Sequence, residues 1–364
     1  MRPSWVEVDL SAIRHNVSTI AAIVAPSRLC AVVKADGYGH GDVPVAEAAL
    51  ASGADWIAVA LVSEGVGLRE AGIDAPILVL SQPDRGDAGE MVRWRLTPTV
   101  YTEDFVGALS ALAPPGYGVH LKVDTGMHRV GVPVAEAPAL AERIAAGPLR
   151  LEGLWTHFAS GDEDGAFTEA QVRALSEVTA RLAAAGIVPQ LVHAANTGAA
   201  LCIPSSRLDM VRAGIGLFGL RSAPGFAPEV ELRPAMRVIS RVTHIARHPA
   251  GTRPSYGRRR PLATDSTVVT VPIGYADGLD RRLFDSGGEV LIGGDRHPFA
   301  GVITMDQVMI DVGDAPVSVG DEVVFLGRQG DGEIPADEWA DRLGTIVWEV
   351  VCDFGPRLPR RYVG

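Results

Sequence analysis

The sequence predicts a (β/α)8 barrel followed by a separate all-β domain, and two patterns carry that prediction. Eight short apolar, β-branched runs recur over roughly the first 210 residues, with alanine-rich helical stretches in most of the gaps. From about Arg237 the texture changes to short β-branched runs that follow one another between Gly, Pro and Asp turns. The expected domains are residues 1–236 and 237–364. Periodicity does not distinguish a closed sheet from an open doubly wound one, so the latter stays open at this point.

Each element follows from local chemistry. Val6-Glu7-Val8-Asp9-Leu10 alternates like a strand, and Asp9 or Ser11 can cap a helix carrying Ile13, Val17 and Ile20 at helical spacing. The eight strand-like runs are Cys30–Lys34, Trp56–Ala60, Pro76–Leu80, Thr97–Tyr101, Val119–Val123, Gly153–Thr156, Gln190–His193 and Leu208–Val211. Val43–Ala51 and Ala170–Ala185 read as helices between them, and Gly53, Gly72 and Gly186 sit where helix C-caps belong. In the second half, strands are expected at Val238–Ile245, Ser266–Val271, Glu289–Ile292, Gly301–Ile303, Gln307–Val312 and Glu322–Leu326. A helical segment at Pro335–Leu343 leads into Thr345–Val351.

The totals exclude several classes. The 364 residues carry a net charge of −11, which argues against a general nucleic-acid surface. Cys30, Cys202 and Cys352 are odd in number and far apart, forming neither a disulfide framework nor a metal cluster, which favours a reducing compartment. The start of the chain lacks the apolar core of a signal peptide, and no apolar run reaches the length of a membrane span. A soluble cytoplasmic protein is expected, and without a secretory route Asn16-Val17-Ser18 has no bearing as a glycosylation site.

Candidate chemistry concentrates where strands end, the active face of a barrel. The chain has 33 Lys plus Arg but only two lysines, Lys34 and Lys122. Arginine cannot replace lysine where an amine nucleophile is needed, so either lysine is a candidate reactive group; an arginine-biased composition also leaves a few lysines by chance. Lys34, Lys122, His157, Asn196 and Arg212 all fall at or just past predicted strand C-termini. Lys122 can pair with Asp124, or serve as a base or be carbamylated when neutral. Arg129 can bind a carboxylate or simply face solvent. His157 and His193 read equally well as core histidines. Asp162, Glu163 and Asp164 form an acidic loop without metal-ligand spacing, and His244 and His248 lack the Glu of a zinc-protease motif and lie in a strand-rich region, so no metal is expected. Gly214-x-Gly216-x-x-Gly219 is weak as a dinucleotide fingerprint, because it follows seven strand–helix units. Glycines after a last barrel strand nevertheless let backbone amides approach a phosphate, with Asn196 and Thr197 adding side-chain donors.

These motifs together resemble the bacterial alanine racemases. The likeness rests on Val33–Gly41, Lys122–Gly131, His193–Thr197, Arg212–Gly219, Ser255-Tyr256-Gly257, Gly274–Gly278 and Met305-Asp306-Gln307, and runs from about residue 5 to 362. The resemblance implies a fold-type III pyridoxal 5'-phosphate enzyme that interconverts L- and D-alanine with two bases, D-alanine being a peptidoglycan precursor. It implies that Lys34 carries the cofactor and acts toward the D enantiomer, while Tyr256 of a second subunit acts toward the L enantiomer. Arg212 would face the pyridine nitrogen with His157 behind it. Tyr38, Asn196, Thr197, Gly214, Ile215 and Trp348 fall at or near cofactor-phosphate positions. Arg129 and the backbone of Met305 would take the substrate carboxylate, a carbamylated Lys122 would orient Arg129, and Tyr275 would stand at the entrance. A head-to-tail homodimer with shared sites is implied, each β domain completing its partner's site.

The sequence departs from the family pattern at several of these positions. Trp348 stands where a tyrosine is usual, Thr197 where a serine is, and Val302 and Thr304 replace the usual Arg and Cys. An indole is larger than a phenol and offers no hydroxyl, so a racemase for another amino acid, or a decarboxylase of the same architecture, is the enzymatic alternative. A cofactor-binding interaction protein is the non-enzymatic one.

Overall fold

The computed structural model describes residues 2–161, 163–222 and 227–364, and the chain divides into two compact units. Asp162 of the acidic loop lies outside the described residues.

One unit comprises residues 13–37 and 42–233. After β1 (Trp5–Asp9), which belongs elsewhere, the chain lays down β2 (Arg28–Val32), β3 (Trp56–Val59), β4 (Ile77–Val79), β5 (Thr97–Val100), β6 (Tyr117–Asp124), the two-residue β7 (Val132–Pro133), β8 (Leu149–Trp155), β9 (Leu191–His193) and β10 (Met210–Ala213). Each of the eight expected runs overlaps a strand. Neighbours pair in parallel in the order β5-β4-β3-β2-β10-β9-β8-β6, and β5 pairs in turn with β6 through Thr99 opposite His120 and Val100 opposite Leu121. That last pairing closes the sheet and decides for a barrel. Strands β3 and β4 are buried along their whole length, as expected of strands covered on both faces. The intervening helices bury one stripe each: Leu140, Ala141 and Ile144 in Ala137–Ala145, and Leu175, Val178 and Leu182 in Gly165–Ala184.

The other unit comprises residues 1–12, 38–41 and 234–364. β1 pairs antiparallel with β11 (Met236–Arg241) and parallel with the C-terminal strand Arg360–Val363. The N-terminal strand, expected within a domain of residues 1–236, therefore lies in the sheet of the C-terminal unit. Its alternation could not reveal this, since half-buried strands read alike whatever they pair with. The expected strand Val238–Ile245 is two strands, β11 and β12 (His244–His248), which enter different sheets. The run Gly301–Ile303 forms no strand; Ser255 Oγ donates to the Val302 carbonyl at 2.6 Å, so this backbone serves a loop instead of a ladder.

Candidate active site

The C-terminal mouth of the barrel gathers most of the predicted residues. Lys34 follows β2 and opens a backbone stretch of unusual hand: Ala35, Asp36, Gly37 and Tyr38 have φ of 54, 53, 59 and 52°. A left-handed turn costs roughly 1–2 kcal/mol per residue with a Cβ, so something must hold it. The Gly37 amide donates to the Val33 carbonyl at 2.8 Å, and the Ala35 amide to Glu64 Oε1 at 2.7 Å. Glu64 Oε2 accepts the amides of Ala60 and Leu61 at 2.8 and 2.9 Å, tying the exits of β2 and β3 together. Sequence reasoning missed Glu64, although an acid three residues into a helix is a known capping signal. Tyr38 is buried and counts with the other unit.

Arg212, on β10, is 3% exposed. Its Nη1 donates to His193 Nδ1 at 2.9 Å, and its Nη2 to the Thr156 and Ala194 carbonyls at 2.9 Å each and to His157 Nδ1 at 3.3 Å. Burial lowers its pKa to about 10, still high enough to stay a cation near neutrality. Burial first, and then the Arg212 charge, hold His157 and His193 well below the usual imidazole range, so both are neutral acceptors. Trp155 stacks on His193 with centroids 5.5 Å apart, and both Arg212 Cζ and Lys122 Nζ lie 4.5 Å from its ring centroid. His193 is fully buried and at the same time bonded to Arg212.

Lys122, on β6, is also 3% exposed, and its pKa falls to about 7 through burial, then Arg212 and Arg129. It is not an ion pair with Asp124. That carboxylate accepts the Gly126 and His128 amides at 3.0 Å each and faces His128 Nδ1 at 3.3 Å, shaping the loop from which the exposed Arg129 projects. Gln171, unremarked in the sequence, couples the loops after β6 and β8: it donates to Thr125 Oγ1 at 3.1 Å and to the His157 carbonyl at 3.3 Å, and accepts the Ala159 amide at 3.1 Å. A buried glutamine on a helix carries no sequence signal of such a role.

The phosphate-side expectations meet around β10. Thr197 Oγ1 accepts the amides of Gly214 at 3.0 Å and Gly216 at 3.5 Å, which leaves its hydroxyl hydrogen to donate. A Cβ on Gly216 would come within 2.6 Å of Thr197 Cγ2, so only glycine allows this approach. Asn196 Oδ1 caps the helix Thr197–Cys202 by accepting the Ala199 amide at 3.0 Å. Gly214 and Ile215 lead into a single 3-10 turn, not the long helix of a dinucleotide fold.

The second unit holds the remaining candidates. Tyr256 is 74% exposed on a loop whose Ser255, Gly257 and Arg258 have φ of 69, 71 and 47°. Tyr275 and Met305 are brought together: the Tyr275 amide donates to the Thr304 carbonyl at 3.0 Å and the Ala276 amide to that of Met305 at 3.1 Å. Asp277 beneath them is fully buried, bonded to Arg2, 3.4 Å from Arg357 Nε and accepting the Gly274 amide at 2.9 Å. Trp348 is half-buried on the helix Val347–Cys352. Among the described residues no cluster of His, Cys, Asp and Glu could hold a metal, and no helix is long and apolar enough to cross a membrane.

Comparison with known proteins agrees with this geometry over both units. The alanine racemase N-terminal domain family matches residues 8–222, and the alanine racemase C-terminal domain family residues 235–362. The chain belongs to the alanine racemase family. The alanine racemase of Symbiobacterium thermophilum is 45% identical over 370 residues, covering 100% of this chain and 98% of that protein. The crystal structure of the Bacillus anthracis alanine racemase with bound L-Ala-P superposes with a TM-score of 0.94 at 37% identity, covering 100% and 96% of the two chains, and that of the E. faecalis enzyme gives 0.94 at 37%, covering 100% and 98%. This racemase is accordingly a pyridoxal-phosphate enzyme.

The residues present fit that cofactor. Arg212 keeps its Nε–H and one Nη1–H without an acceptor among the described residues, suited to a ring nitrogen. Thr197 keeps a hydroxyl donor beside a glycine turn, suited to a phosphate. Lys34, Arg129 and Arg212 make the mouth cationic in a chain of net charge −11, which draws in a phosphate and a carboxylate.

Proposed function

We propose that Lys34 and Tyr256 are the two bases of alanine racemisation, with Tyr256 supplied by a second copy of the chain. Pyridoxal phosphate, when bound, supplies the electron sink that lets an amino acid's α-proton leave. Lys34 holds the cofactor and takes or returns the α-proton on one face, serving D-alanine. The Tyr256 hydroxyl does the same on the opposite face, serving L-alanine. One base removes a proton and the other delivers one, so a turnover inverts the centre and leaves the proton count unchanged. Arg212 stays protonated near neutrality and offers the ring nitrogen a hydrogen bond without giving up its proton, which keeps charge near the α-carbon and favours its reprotonation. His157 and His193 hold Arg212 in place. Arg129 and the backbone at Met305 take the substrate carboxylate. The family resemblance gives Tyr38, Asn196, Thr197, Gly214, Ile215 and Trp348 roles at the phosphate end and Tyr275 one at the entrance.

Lys122 is the residue that becomes carbamylated: its neutral amine forms an N–C bond to carbon dioxide and releases one proton to solvent. With a pKa of about 7 its amine is substantially neutral and nucleophilic at physiological pH, and the product carbamate attracts Arg129 where an ammonium repels it. A cytoplasmic homodimer fits a chain with only three, widely spaced cysteines and an aromatic side chain left exposed on a tightly shaped loop.

The observation that carries the reading is the neutral pair of histidine acceptors that pins a buried arginine beside a lysine-bearing barrel mouth. The test is α-proton exchange in deuterium oxide with the cofactor-loaded protein, read by mass and chiral separation. Alanine exchanges with inversion, and Lys34→Ala abolishes it. Release of carbon dioxide without inversion would instead identify a decarboxylase, and cofactor binding without exchange of any amino acid would identify an interaction protein.

A further inference from the structure

The barrel interior contains a row of polar side chains that reaches from Arg212 away from the mouth. Arg212 Nη1 lies 2.9 Å from His193 Nδ1, and His193 Nε2 lies 2.9 Å from His120 Nδ1. His120 is on β6, two residues before Lys122, and is fully buried. Room for its ring comes from Gly153, its register partner on β8, where a Cβ would sit 2.5 Å from the His120 Cγ. Trp56 flanks it at 5.2 Å between centroids and His193 at 5.0 Å.

Donor and acceptor chemistry gives this row one direction. A guanidinium has only donors, so His193 Nδ1 must accept and the His193 hydrogen resides on Nε2. His120 Nδ1 then accepts, and its own hydrogen resides on Nε2. That nitrogen is buried with no hydrogen-bond partner among the described residues; Glu152 Oε2 is 3.9 Å away, while Glu152 Oε1 accepts from Arg150 Nη2 at 3.0 Å. An unpartnered buried N–H is destabilising, so packing alone does not account for a histidine here. The opposite tautomer of His193 would set donor against donor at Arg212.

We propose that His120 is a positioning residue for Arg212: by accepting from His193 it locks His193 in the tautomer that accepts from the guanidinium. That the held guanidinium serves the cofactor's ring nitrogen rests on the function proposed above; the tautomer lock does not.

The experiment is 15N NMR of the histidine-labelled, cofactor-loaded racemase in the wild type, His120→Phe and His120→Asn. In the wild type, His193 and His120 both show a bare Nδ1 and a protonated Nε2. Loss of the acceptor in His120→Phe moves the His193 nitrogens toward tautomer averaging and lowers kcat about tenfold, with KM for alanine within about twofold. His120→Asn, whose side-chain oxygen can accept in place of Nδ1, returns both the spectrum and kcat toward wild type. A proton on Nδ1 of His193 in the wild type overturns the proposal whether or not His120→Phe folds. So does a His193 spectrum unchanged in His120→Phe. A wild-type spectrum as expected, and disturbed by His120→Phe, in a protein that exchanges no amino acid would uphold the lock and refute the functional reading alone.

Discussion

At the scale of single residues, the site works by pairing groups whose titration has been pushed in chosen directions. Arg212 holds its proton although buried, and the three histidines around it give theirs up. The guanidinium is therefore not replaceable by a point charge. Arg212→Lys supplies fewer donors to His193 Nδ1, His157 Nδ1 and the Thr156 and Ala194 carbonyls, so several buried acceptors lose their partners. The expected loss is about 1–3 kcal/mol of stability, read as a lowered denaturant midpoint, together with at least about a tenfold drop in kcat. Unchanged stability would mean that these acceptors find other donors.

At the scale of elements, close approaches decide which residues the barrel accepts. β8 carries Gly153 directly against the His120 ring, and Gly153→Ala places a methyl group 2.5 Å from its Cγ in a packed interior. Overpacking of this kind costs about 1–3 kcal/mol, measurable by urea unfolding; a neutral result would show that β6 and β8 can spread. The left-handed turn after β2 is the converse case, where the backbone departs from its ordinary preference and Glu64 compensates with three accepted amides. Strain at this position sets the direction in which the chain leaves Lys34.

For the whole molecule, the buried histidines make acid a destabilising condition. His120 titrates at about 3, through burial first and then Arg212 and Arg150, and His157 and His193 also lie well below 6.5. Below pH 6.5 the unfolded chain binds protons that the folded chain refuses, so stability falls as pH drops through that value, continuing for His120 down to about 3. Each such histidine contributes a slope of about 1.4 kcal/mol per pH unit. His120→Asn should reduce the measured slope by about one proton, and an unaltered slope would show that His120 is protonated in the fold. The proposed sharing of sites has its own signature. Mixing Lys34→Ala with Tyr256→Phe, both inactive alone, regenerates one complete site per hybrid dimer, giving roughly a quarter of wild-type activity at random exchange. No recovery on mixing would place both bases in one chain.

Much of this architecture was legible in the sequence because strand burial and helix stripes are local periodicities. The eight barrel strands, the change of texture near residue 236 and the scarcity of lysine all lie within reach of neighbouring residues. The motifs further marked Lys34, Arg212 and Tyr256 as the residues to watch. Tertiary structure alone decided that β5 meets β6 to close the sheet, that Trp5–Asp9 joins the C-terminal unit, and that His120, His193 and Arg212 form one directed row. Pairing partners and hydrogen-bond direction depend on groups separated by tens to hundreds of positions, and nothing in a local pattern records which distant group will be the acceptor.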